Sequence, residues 1–89
     1  MAKAIGADRE RQSQTLAQAI GSELTHLRRT AKLSQQRLAD CIGYDVTHVR
    51  QTEMGGNPTV QYLEAIAAYF RLKVSELFLR AESRLSGSK

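Results

Sequence analysis

Four times in this chain a residue of the kind that caps a helix follows an apolar or ring-bearing residue, and a second apolar residue stands five positions beyond the first. The four sets are Leu33-Ser34 with Leu38, Tyr44-Asp45 with Val49, Pro58-Thr59 with Leu63, and Val74-Ser75 with Leu79. A side-chain oxygen at the cap accepts from an orphan N–H of the first turn. The flanking pair closes over that turn as a hydrophobic staple. Four helix starts between residues 34 and 75 leave no room for a sheet. Upstream, Leu16, Ile20, Leu24, Leu27 and Ala31 recur at steps of four, four, three and four, which predicts one more helix over about 13–31. Gly21 lies inside it at a cost of about 1 kcal/mol relative to Ala, which close packing explains.

The second and third of these helices are short. Leu38, Ala39 and Ile42 form one stripe, and Gly43 stands where the chain reverses and a positive φ is needed. Asp45 caps the next helix, predicted over 45–53, and Gly55 follows its last turn. Helices this short, joined this tightly, cross steeply as a helix-turn-helix. Gly56-Asn57-Pro58 reads as a loop. Thr59 then caps a helix with the face Leu63, Ile66, Ala67 and Phe70, and Arg71 and Lys73 near its C-terminal end suit the dipole. Ser75 is expected to cap a fifth helix. The capping box is missing after Ser34, whose N3 residue is Arg37. The expected layout is an arm over 1–12, an all-α, five-helix domain over 13–82, and a frayed tail over 83–89.

The 89 residues suffice for one domain. With 42% hydrophobic and 25% charged residues the chain is globular, and with five aromatic residues, none of them Trp, its core is mainly aliphatic. Net charge +4 favours an anionic partner. Cys41 is the only cysteine, which excludes an intrachain disulfide and a cysteine-rich zinc site; we expect it near the core as a small hydrophobe. No apolar run approaches a membrane span, and no apolar stretch follows the N-terminal Lys as in a signal peptide, so a cytoplasmic setting is expected. His26 and His48 are lone, and no spacing of His, Cys, Asp and Glu suggests a metal. No nucleophile–base pair, phosphate-binding glycine loop or paired acid is present. We expect no enzyme and no cofactor.

The pieces Ser34-Gln35, Leu38-Ala39, Ile42-Gly43, Val49 and Glu53 before Gly55 resemble the lambda-repressor-like, Cro-type DNA-binding domains. Leu24 and Arg28 upstream, and Asn57-Pro58-Thr59, Leu63, Ile66 and Ala67 downstream, fit the same family. The resemblance runs from about Ile20 to Leu79 and is specific as a combination. Thr52 departs from it, because the family usually has a larger aliphatic residue there, and looser packing under the third helix is expected.

The resemblance implies that the helix at 45–53 enters a major groove, with Val46, Thr47, Arg50 and Gln51 as base-reading candidates. Arg50 matches guanine O6 and N7, Gln51 matches adenine N6 and N7, and Val46 or the Thr47 methyl matches a thymine methyl. Phosphate contacts are expected around helix N-termini, from Gln35, Lys32, Arg37, the cap at Asp45, His48 and Asn57. For Arg37 a solvated surface charge is an equal alternative. Arg28 and Glu53 are expected to form a structural ion pair, as in the family. Val74, Leu77, Phe78, Leu79 and Leu85 exceed one helix stripe, so some should face outward as a dimer interface. The expected partners are double-stranded DNA and a second copy of the chain on a palindromic operator. An antitoxin, with a protein partner, or a restriction-modification controller uses the same contacts. A protein-interaction module that has lost DNA binding is the alternative from another class.

Overall fold

The computed structural model describes residues 15–86, and the arm expected over 1–12 lies outside them. Five helices follow one another: α1 Leu16–Thr30, α2 Gln35–Ile42, α3 Val46–Glu53, α4 Val60–Tyr69 and α5 Val74–Ser86. α1 packs on α5 and α3, α2 on α3 and α4, and α4 on α5. The described residues are all-α, as expected, and α2 with α3 forms the helix-turn-helix.

The helix starts follow from side-chain capping at four of five positions. Thr15 and Gln18 make a reciprocal capping box at α1, each side chain accepting from the other's backbone N–H at 3.0–3.1 Å. Ser34, Asp45 and Thr59 accept from Arg37, Thr47 and Tyr62 at 2.9–3.0 Å. The fifth start differs from expectation. α5 begins at Val74, so Lys73 occupies the cap position and Ser75 lies inside the first turn. Lys73 has no acceptor to offer. Instead Glu76 reaches back and accepts the Lys73 N–H at 2.8 Å, which is half of a capping box. The staple moves with it: Leu72, half-buried, precedes the cap, and Leu77, 1% exposed, stands five positions on, while Leu79 faces water.

Helix ends are equally regular. After α1 the Lys32 N–H bonds the Arg29 carbonyl and the Leu33 N–H bonds the Arg28 carbonyl, a Schellman closure that needs a left-handed residue in between. The same pair of bonds follows α3 at Gly55 and Gly56, and α4 at Arg71 and Leu72. The left-handed residue is Gly55 (φ 98°) after α3, but Lys32 (φ 61°) and Arg71 (φ 59°) after α1 and α4. α2 ends at Gly43 with φ 75°.

The core takes Ala19, Ile20 and Leu24 from α1, Leu38 and Ala39 from α2, Val49 from α3, Tyr62, Leu63, Ile66 and Ala67 from α4, and Leu77 and Ala81 from α5. Two expectations fail here. Cys41 is exposed on α2, because the buried stripe passes through Leu38, Ala39 and Ile42 and leaves it to one side. The tail does not fray at residue 83: α5 runs on through Ser86, anchored by a half-buried Leu85 packed on the core. Among the described residues no helix is long and apolar enough to cross a membrane.

Candidate nucleic-acid interface

α3 has only eight residues, VTHVRQTE, several of them poor helix formers, so packing from behind must hold it. Val49 is 0% and Thr52 5% exposed on that inner face. α1 crosses the last turn of α3 at Gly21. A Cβ at this position would stand 2.5 Å from the Thr52 carbonyl oxygen and 2.9 Å from that of Glu53, so the two backbones touch. Thr52, where looser packing was expected, is buried with its side chain toward the Tyr62 hydroxyl. Tyr62 is 2% exposed, and burial, with the negative charge of Glu53 nearby, pushes its hydroxyl up to about 12.

The end of α3 is fixed by charge. Arg28 Nε donates to Glu53 Oε2 at 2.6 Å and Nη2 to Oε1 at 3.0 Å. The third nitrogen, Nη1, donates to the Leu33 carbonyl at 2.7 Å. The guanidinium thus ties α1, the α1–α2 turn and α3 together. Side-chain exposure is 10% for Arg28 and 7% for Glu53. Burial alone would push the Glu53 carboxyl up, but hydrogen bonds from Arg28 and Gln35, with the charge of Arg28, hold it below its ordinary 4.5. A two-pronged guanidinium–carboxylate pair of this kind is among the stronger polar contacts a protein makes.

The opposite face of α3 is open. Thr47, Arg50 and Gln51 are exposed, and Val46 is half-buried, leaning on the core. Lys32, Arg37, His48 and Asn57 are exposed as well. Gln35 is only half-exposed, and its Nε2 donates to Glu53 Oε1 at 3.0 Å. Asp45 does not belong with the phosphate candidates. Its carboxylate accepts the Thr47 N–H, and the Thr47 hydroxyl together with that N–H holds it below its usual range, so it already fills the α3 N-terminus with charge of the phosphate's own sign. Leu77 leaves the outward apolar set because it is core. Val74 and Leu85 are half-buried against the core, while Phe78 and Leu79 are 37% and 62% exposed.

Two groups were not found from the sequence. His48 is braced by rings, 5.4 Å from Tyr44 and 6.2 Å from Tyr62, themselves 5.1 Å apart. Beside them a half-open cleft of about 540 Å³ runs between α3 and the loop, with Gln51 and Asn57 in its wall. Tyr44 at a staple position and Tyr62 one turn before Ile66 carried the signal for this cluster. The second group is Glu23 with Arg84 and Arg80, at 2.9 and 3.6 Å, joining α1 to α5. Its signal was a carboxylate three residues after Ile20, on the apolar stripe, with arginines four apart on another helix. No fully buried side-chain nitrogen or oxygen among the described residues lacks a partner, and none of their His, Cys, Asp and Glu side chains cluster as a metal site.

No match was found among curated proteins. A helix-turn-helix family model matches residues 24–77, well over half of the 89, and spans the crossing of α1, α2, α3 and α4 described above. With this match on a frame that pins α3 from behind and leaves its far face open, the chain belongs to the lambda-repressor-like helix-turn-helix family of DNA-binding regulators.

Proposed function

We propose that the protein is a sequence-specific transcriptional regulator that acts as a homodimer on a two-fold operator, placing one α3 in each of two successive major grooves about 34 Å apart. The observation that carries the reading is the division of α3. Val49 and Thr52 are sealed against the core while Thr47, Arg50 and Gln51 project from the other face. Arg50 and Gln51 are the side chains suited to two-pronged contacts with guanine and adenine, and Thr47 and the exposed part of Val46 suit a thymine methyl. Lys32, Gln35, Asn57, His48 and Arg37 flank them as phosphate contacts, which set register without reading sequence. A single module covers little duplex, so a second copy adds affinity and fixes orientation. Phe78 and Leu79, apolar and exposed on α5, are the centre of the proposed dimer surface.

The test is a salt titration of binding to random-sequence duplex. Contact with Z phosphates gives a log–log slope of about −0.9Z, and we expect binding at low salt that falls steeply as salt rises. Absence of binding at low salt would refute the regulator and favour the protein-interaction module. Sedimentation tests the dimer separately. A monomer at micromolar concentration, unchanged by Phe78→Asp or Leu79→Asp, would remove the α5 interface.

A further inference from the structure

Gln35 and Glu53 lie eighteen residues apart, on different helices, yet share a part-buried hydrogen bond of 3.0 Å. Glu53 already receives both prongs of Arg28 and is almost closed off from water. We propose that Glu53 is a positioning residue for duplex binding: it holds the Gln35 amide so that this amide bridges the buried carboxylate and a DNA phosphate. The inference rests on the phosphate contact assigned to Gln35 above and adds what orients it.

The chemistry allows one arrangement. An ionised carboxylate only accepts, so the amide must turn its NH2 toward Glu53 rather than its oxygen. The two N–H bonds of that nitrogen lie in one plane and diverge, so with one committed to Glu53 the other is aimed elsewhere. Gln35 is half-exposed, which leaves that second N–H an outlet to the surface next to the Ser34 cap. A phosphate arriving there comes within about one side chain of a negative carboxylate. An amide between two anions serves both: each N–H faces an acceptor, and the anions are kept apart. Fixing the rotamer beforehand also spares the ordering that a free glutamine undergoes when it binds. The pair Arg28–Glu53 therefore does more than hold α3, because the same carboxylate presets a contact at the start of α2.

A double-mutant cycle separates this from a purely structural Glu53. The variants are Gln35→Met, which keeps length and loses both donors, Glu53→Gln, which keeps shape and loses charge, and the double variant. The probe is random-sequence duplex at low salt, with thermal melts alongside. Gln35→Met should weaken binding about tenfold, the scale of a hydrogen bond to a charged group, and leave the salt slope unchanged, because the lost contact is neutral. In the Glu53→Gln background the same change should cost less than about twofold. An equal loss in both backgrounds would overturn the inference.

If Glu53→Gln fails to fold, the wild-type protein supplies the reading by NMR. The Gln35 side-chain NH2 signals should move as Glu53 is protonated below pH 4.5, and move again when duplex is added at neutral pH. Signals unmoved by duplex that binds would also overturn the inference. Failure of the parent reading looks different: no variant, nor the wild type, binds duplex at all.

Discussion

Two carboxylates sit on the inner surface of this small fold, and they are held in different ways. Glu53 ends α3 and meets an Arg28 that is itself 10% exposed, through two short bonds. Glu23 lies on α1, 6% exposed, and meets Arg84 and Arg80, whose side chains are 36% and 47% exposed. In the first pair both charges have left water, so each depends on the other. In the second only the acid has, and its partners keep much of their hydration. The helix that carries the candidate reading face is thus fixed by an all-or-nothing clamp, whereas the C-terminal helix is fixed by a looser one over an apolar seam through Leu77 and Ala81.

The contrast predicts unequal penalties. Glu53→Ala or Arg28→Ala strands a buried charge and should cost about 3–5 kcal/mol, seen as a large fall in melting temperature. An unchanged midpoint would break the comparison at once. The same pair gives the fold a pH dependence. Because the folded carboxyl lies below its ordinary 4.5, its contribution is complete above that value and is lost as pH falls through the folded value, so melts should drop in acid. Gly21→Ala should come next, at about 1–3 kcal/mol, since the added methyl meets the backbone of Thr52 and Glu53, which cannot rotate aside. Glu23→Ala should cost about 1 kcal/mol, because its arginines return to water. A loss as large as that from Glu53 would show the two sites to be equivalent.

The smallest effect has the opposite sign. Lys32 and Arg71 hold left-handed backbone that glycine adopts freely. Lys32→Gly and Arg71→Gly should each raise stability by up to about 1 kcal/mol in thermal melts. Only the first should also reduce the salt slope of duplex binding, by about 0.9, because Lys32 is the one beside α2.

Much of this was legible in the chain. Leu33-Ser34-Leu38 and Tyr44-Asp45-Val49 marked α2 and α3 because cap chemistry and apolar spacing agree there. Val74-Ser75-Leu79 satisfied the same spacing and misled. The cap stands two residues earlier, at Lys73, where Glu76 improvises it, and only the burial of Leu77 over Leu79 decides between the registers. Cys41 was misplaced because a cysteine beside a stripe reads like one within it. The tail was misread because Leu85 finds a partner surface on the core that lies far away in sequence. Arg28 and Glu53 came from the family resemblance rather than from spacing. Glu23 and Tyr62, whose partners lie on other helices, had signals too weak to place before the packing was known.

The central claim is that α3 is anchored by one face and reads bases with the other. Its most direct test starts by selecting bound duplexes from a random pool. The affinity of Arg50→Ala is then measured for the selected sequence and for versions altered one base pair at a time. Arg50 and guanine in a two-pronged contact predict an unchanged melting temperature, a loss of about 1–3 kcal/mol on the selected duplex, and preference relaxed at a single position. A variant that keeps wild-type affinity and preference at every position, or that loses its fold instead, would contradict the account.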